Sequence, residues 1–266
     1  MKTLKNSKYN KNFNYQISNV LTYLSPFLII VLILIIWQFI CVNNIVPNFI
    51  LPSPVQVIKS FISDFDTLML NAWFTLLEAI IGLFISIIIS FIIAVLMDFF
   101  YPVYKAFYPI LIISQTIPTV AIAPLLVLWM GYGMLPKIVL VVIVCFFPIT
   151  ISLLESFKSH NEEEIKLLLT MNANKWQIFR HVKFSACIPN FFSGLKMSVS
   201  YSIISTLIAE WLGGNYGLGV YMTRVKKSYS FDKMFAVIFL ISFISLFLIQ
   251  FVNFLHRIYN SIKHIK

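Results

Sequence analysis

From Leu76 to Phe100 the chain reads "LLEAIIGLFISIIISFIIAVLMDFF", with no charge between Glu78 and Asp98. A bilayer core takes about 20 mainly apolar residues to cross as a helix, and several blocks of this kind recur along the sequence. Of the 266 residues, 59% are hydrophobic and 11% are charged, whereas soluble domains carry about 25% charged residues. These blocks leave room for little besides membrane spans. The expected fold is all-α, a polytopic membrane protein, with a basic arm over 1–23 and one transmembrane domain over 24–266.

Six spans are expected, at roughly 24–42, 69–97, 105–130, 136–155, 189–211 and 234–256. The third carries Pro109, Pro118 and Pro124. A proline inside a helix removes a backbone donor and clashes with the preceding turn, so this span must kink or break. Lipid tolerates that only where protein or a cavity satisfies the freed groups. Pro118 and Pro124 are therefore candidates for lining a translocation pathway; a bent packing helix is the competing reading. The first block, Pro26 to Val42, follows Lys2, Lys5, Lys8 and Lys11 like a signal peptide, but no small-residue cleavage site follows. An uncleaved first helix is expected.

Six spans place both termini on one side. Fourteen Lys and Arg residues fall on that side, among them the N-terminal arm and the loop over about 156–188, against six on the other. The positive-inside rule then places both termini and this loop in the cytoplasm. The segment "TRVKKSYSFDK" resists, being basic yet outside. Outside as well lies "NNIVPNFILPSPVQVIKSFISDFD", where Val55, Ile58, Phe61 and Ile62 recur at helical spacing after Pro52 and Pro54. A short helix along the membrane surface fits that pattern.

The central loop reads as two short amphipathic helices. Asn161 is a candidate N-cap followed by three glutamates, which favour a helix N-terminus. Asn172 tolerates the left-handed conformation that ends helices, and Asn174 with Gln177 forms a capping-box pattern for a second helix. That helix carries Trp176, Ile178 and Phe179 against Lys175, Arg180 and His181. A DNA-binding helix pair would need freedom to enter a groove, and here both ends are tied to spans. No nucleic-acid partner is expected. A plain surface loop and a docking element for a cytoplasmic partner remain open on composition.

The segment "EIKLLLTMNANKWQIFRHVKFSACIPNFFSGLK" resembles the cytoplasmic signature loop of binding-protein-dependent ABC importer permeases. "LPSPVQVI", "TIPTVAIAPLLVLWMGYG", "FFPITI" and "AEWLGGNYGLGVYM" are similar, in order, to the nitrate, sulfonate, taurine and pyrimidine-precursor permeases. The nearest likeness is to permeases for thiamin pyrimidine precursors such as hydroxymethylpyrimidine. The signature's glutamate falls on Lys166, its alanines on Leu167 and Leu168, and its glycine on Asn172. Its later Leu-Pro falls on Phe184-Ser185, with Pro189 retained. The type I ABC importer permease that this resemblance implies works in the bacterial cytoplasmic membrane. It pairs with a second permease copy, most simply the same chain, and engages an ABC ATPase subunit and an extracytoplasmic solute-binding protein. The resemblance implies that the loop is a coupling element, with Leu168, Asn172, Ala173, Asn174, Lys175, Trp176, Phe179 and Arg180 at the ATPase.

No GxxxxGK[ST] phosphate loop occurs, so ATP would be bound by the partner and no cofactor is expected here. Cys41, Cys145 and Cys187 show no metal-binding spacing and read as small buried residues. His160, His181, His256 and His264 lie at membrane edges, which argues against an enzyme. Glu78 and Glu210 fall in or at the edge of spans, where ionisable groups are functional by default. Both are pathway candidates; for Glu210, anchoring of the "GGNYGLG" loop is the leading alternative. An ion-coupled secondary transporter is the more distant reading, disfavoured by a single short half with few buried charges.

Overall fold

The computed structural model describes residues 25, 27–43, 45–47, 50–158 and 162–264. The basic arm over 1–23 and the candidate cap Asn161 lie outside the described residues. Among the described residues every regular element is helical: α1 (Phe27–Val42), α2 (Pro54–Ser63), α3 (Phe65–Phe99), α4 (Tyr101–Thr116), α5 (Thr119–Met130), α6 (Met134–Lys158), α7 (Glu162–Thr170), α8 (Lys175–Ile178), a π turn (Phe179–Lys183), α9 (Phe184–Leu212), α10 (Leu218–Lys227) and α11 (Phe231–His264). The fold is all-α and polytopic.

Four helices are long and apolar enough to cross a bilayer: α3, α6, α11 and the continuous helix Lys175–Leu212. The proline-rich third block is broken, as its composition requires. Its halves α4 and α5 meet at 101°, with Pro118 as the N-cap of α5 and Ile117 extended before it. A residue before proline is driven out of the helical region, which sets the position of the break. Pro109 and Pro124 lie within the helices on either side. As one span the pair would be the fifth. The expected first span appears as α1, whose 16 residues Phe27–Val42 form a shorter apolar helix.

The expected surface helix is α2. Pro54 occupies its first turn, and Ser53 and Gln56 close a reciprocal capping box. Its outward face is apolar (Val55, Ile58, Ile62), while Val57 and Ser60 turn inward and Ser60 hydrogen-bonds Asp232 of α11. An amphipathic helix with its apolar side out suits a membrane surface.

Helices α3, α6 and α9 form the centre of the bundle. They approach through small residues, as membrane helices do where lipid offers no hydrophobic drive to association. A Cβ at Gly82 of α3 would fall 2.6 Å from the Val141 side chain, and one at Gly194 of α9 would fall 2.8 Å from the carbonyl oxygen of Pro148. Polar groups cross the same interfaces. Ser90 Oγ donates to the Phe146 carbonyl at 3.1 Å, and Ser198 Oγ to the Cys145 carbonyl at 3.1 Å. Cys41, Cys145 and Cys187 are buried free thiols.

Candidate functional site

At the end of the bundle where α3 begins, a polar cluster is closed off from solvent. Asn71, Thr75 and Glu78 recur on one face of α3 and are all buried, as is Glu210 near the end of α9. They meet the N-terminus of α10. The first amides of a helix have no partner within it, and Gly217, the N-cap, has no side chain to supply one. Other helices supply them. Gly217 N–H donates to Asn71 Oδ1 at 2.9 Å, Leu218 N–H to Thr75 Oγ1 at 2.8 Å, and Gly219 N–H to Glu210 Oε2 at 2.6 Å. Thr75 Oγ1 also donates to Glu210 Oε1 at 2.7 Å. A Cβ at Gly217 would fall 2.2 Å from the Glu210 carboxylate, and Gly217 has φ of 131°. No other residue allows this approach in that conformation.

Lys137, near the start of α6, enters the same cluster. Its ammonium lies 2.8 Å from Glu78 Oε1 and 3.4 Å from the Tyr216 carbonyl, and it is buried with Glu78. The charge count placed Lys137 on the outer surface; the structure places it in the bundle, because Glu78 is there to pair with it. Glu78 Oε2 has no hydrogen-bond donor among the described residues and lies beside Glu210. Both acids thus hold helices together, and the arrangement of Glu210 matches the loop-anchoring alternative. Asn71, Thr75 and Lys137 were not singled out from the sequence. The spacing of Asn71, Thr75 and Glu78, i, i+4 and i+7 in an otherwise apolar helix, was the available signal.

The adjoining latch is also polar. Asp64 accepts from Lys233 Nζ at 2.8 Å and from the Tyr221 hydroxyl at 2.5 Å. Burial works against the charged form of Asp64, but its bonds to Lys233, Tyr221 and Ser63 outweigh that and hold its carboxyl below the usual 3.8. Burial, then the Asp64 carboxylate, pushes the Tyr221 hydroxyl up. The resisting basic segment is thus partly explained: Lys233 is paired, and Arg224 donates to the Asn215 carbonyl at 2.7 Å. Nearby, Pro124 lines a cavity of about 410 Å³ with Val127, Leu128, Gly131, Tyr132 and Leu212. Pro118 is exposed at the break and does not join it.

At the other end of α3, the central loop forms the second candidate site. Helix α7 stops at Asn172, whose φ is 60°. Asn172 N–H donates to the Leu169 carbonyl at 3.0 Å and Ala173 N–H to the Leu168 carbonyl at 2.9 Å, the paired bonds of a Schellman stop. Asn174 then caps α8 through Gln177, with both reciprocal bonds at 2.8 Å. The asparagine turn therefore forms where the signature has glycine.

Beyond the turn the structure departs from two separate amphipathic helices. α8 runs on through the π turn into α9, giving one helix over Lys175–Leu212. The rotation this imposes turns Phe179 inward. Phe179 is 4% exposed and touches the rings of Phe99 of α3, Phe157 of α6, and Trp176 and Phe184 of its own helix. It is a core residue of the loop's base and no surface anchor. Leu168 is half-buried, while Leu167, Leu169, Met171 and Trp176 (57%) are the exposed apolar groups, with Lys175 and Arg180 beside them.

Residues 86–261 match the family described as the binding-protein-dependent transport system inner membrane component. A "Probable ABC transporter permease protein" of Haemophilus influenzae is 36% identical over 235 residues, 88% of this chain and 96% of that protein. The "Formylaminopyrimidine transport permease protein" of Halalkalibacterium halodurans is 35% identical over 224 residues, 84% of this chain and 89% of that protein. Among solved structures, an inward-facing form of the MetNI methionine ABC transporter superposes with a TM-score of 0.64 at 20% identity, covering 74% of this chain and 96% of that one. That last likeness concerns the fold.

Proposed function

The chain belongs to the family of binding-protein-dependent transport system inner membrane components, and from that premise we propose that its cargo is a small pyrimidine of the thiamin-precursor kind, such as hydroxymethylpyrimidine. It is the permease subunit of an ABC importer and is not itself an enzyme. Family membership implies an ABC ATPase and a solute-binding protein as partners. The observation that carries the pyrimidine reading is the 35% identity, over most of both chains, to a permease named for formylaminopyrimidine.

In this reading two copies of the chain form the pathway, with both termini and the loop over about 156–188 in the cytoplasm. The permease domain spans 24–266, and ATP is bound by the partner. The loop docks on the ATPase through Trp176 with Leu167, Leu169 and Met171, rimmed by Lys175 and Arg180. Apolar anchors with a charged rim are the usual make-up of a docking patch. Asn172, Ala173 and Asn174 form the turn that sets the patch, and the buried Phe179 supports it from below. Pro118 and Pro124 belong to the pathway through the broken helix pair. Glu78 and Glu210 serve it indirectly, by fixing α10 and the 213–217 loop over the bundle.

Vesicles containing the permease, its ATPase and its binding protein test the reading. ATP-dependent uptake of labelled hydroxymethylpyrimidine, unaffected by excess taurine, is expected. Taurine or nitrate uptake without pyrimidine uptake would reassign the cargo.

A further inference from the structure

Asp98 lies in the last turn of α3, and no basic residue shares that turn. A carboxylate there faces the negative end of the helix dipole, so the residue works against its own helix. What it has in return is Lys183, whose ammonium lies 2.7 Å from Asp98 Oδ1 and 2.9 Å from Oδ2. Lys183 closes the π turn between the coupling loop and α9. Such turns are rare and gather at functional sites. Beside the pair, Phe99 meets both Phe179 and Trp176, at 5.3 and 6.2 Å between ring centres.

Between the ion pair and the ring cluster the loop leaves a gap against the end of α3. A cavity of about 250 Å³ separates Ile165 of α7 and Lys175 and Ile178 of α8 from Asp98 and Phe99. The loop thus touches the end of α3 along one seam, with an ion pair on one side of a gap and an aromatic contact on the other. The side chains of Lys183 and Asp98 are 19% and 14% exposed, which screens their attraction less than a surface pair would be.

We propose that Asp98 and Lys183 are positioning residues that strap the coupling loop to α3, so that the loop and this helix end move as one body when the ATPase subunits close. This rests on the reading of the loop as the ATPase contact. The strap converts displacement of α8 into displacement of α3, the helix that carries Asn71, Thr75 and Glu78 at its far end. A severed strap lets the loop ride across the cavity while α3 stays behind.

The experiment uses the reconstituted permease–ATPase–binding protein complex, with Asp98→Asn, Lys183→Gln and the charge-swapped double Asp98→Lys/Lys183→Asp. Each single variant is expected to keep its ATPase and to hydrolyse ATP. Hydroxymethylpyrimidine taken up per ATP hydrolysed falls about tenfold, within the range of typical coupling between sites. The swapped chain recovers most of it. Unchanged uptake per ATP in both single variants overturns the proposal, and so does loss of the ATPase from them, because the pair would then shape the docking face. Nitroxides at the exposed Leu96 and Glu164 of α7, outside the docking patch, supply a second measurement that needs no cargo. Their separation is expected to stay fixed on adding ATP in the otherwise native chain and to shift in Lys183→Gln. A shift in the otherwise native chain overturns the strap. Failure of the unaltered complex to take up hydroxymethylpyrimidine, with the label separation behaving as described, counts against the cargo alone.

Discussion

Where α3 begins, Asn71, Thr75, Glu78, Lys137 and Glu210 are buried and bound to one another or to backbone amides of α10. Where α3 ends, some 27 residues or about 40 Å further on, one ion pair and a stack of rings hold a loop that keeps several large apolar side chains exposed. The first end closes on itself: most of its polar groups have partners within the chain. The second leaves Trp176, Leu167, Leu169 and Met171 uncovered, a patch that a single chain does not bury. Closed polar clusters fix geometry, and open apolar ones await a surface. The difference fits rigidity at one end and, in the proposed reading, docking at the other.

The contrast breaks most visibly at Lys137. Lys137→Met leaves the Glu78 carboxylate buried without its cation and is expected to cost about 3–5 kcal/mol of stability. Adding Glu78→Gln in the same chain should recover most of it. Thermal melting of the solubilised protein measures both, and a near-native Lys137→Met would mean that the closed end is not held by this pair. Phe179→Ala empties the centre of the ring cluster and should also destabilise, by about 3–5 kcal/mol. If instead it melted normally and lost the ATPase, Phe179 would be a surface anchor after all.

Gly217→Ala drives a methyl into the Glu210 carboxylate at a φ that L residues rarely adopt, and a loss of about 1–3 kcal/mol is expected. Trp176→Ala sharpens the contrast from the open side. Melting should be nearly unchanged, while ATPase affinity falls by more than about 1 kcal/mol, measured by titrating the ATPase onto the reconstituted permease. The smallest effect concerns pH. The folded chain holds Asp64 below its ordinary 3.8, so the unfolded chain binds the proton more readily. The stability this gives is present above pH 3.8 and is lost as pH falls through the lower folded value. Asp64→Asn should therefore melt with a flatter dependence on pH across that acid range.

The broken third block was legible because proline acts locally: Pro118 fixes its own φ and restricts Ile117 whatever surrounds them. The turn at Asn172 and Asn174 was legible for the same reason, since its caps join residues three to five apart. Phe179 was misplaced from the sequence because its face depends on α8 continuing through a π turn into α9, which shifts the helical register by contacts made far along the chain. Lys137 was misplaced because a lysine beside a span is read as surface until a buried partner is known, and Glu78 lies 59 residues away.

Composition and periodicity alone therefore determined an all-helical membrane protein, the place where one span breaks and the asparagine turn of its loop. These depend on transfer to lipid and on backbone geometry, which each segment carries with it. Only the tertiary structure decided that α3 and α9 together cap the start of α10, that Glu78 is paired, and that Lys183 reaches Asp98. Glu78–Lys137 and the bond from Asn71 to the Gly217 amide join groups 59 and 146 residues apart, and such partners are chosen by how helices pack, which no local pattern encodes.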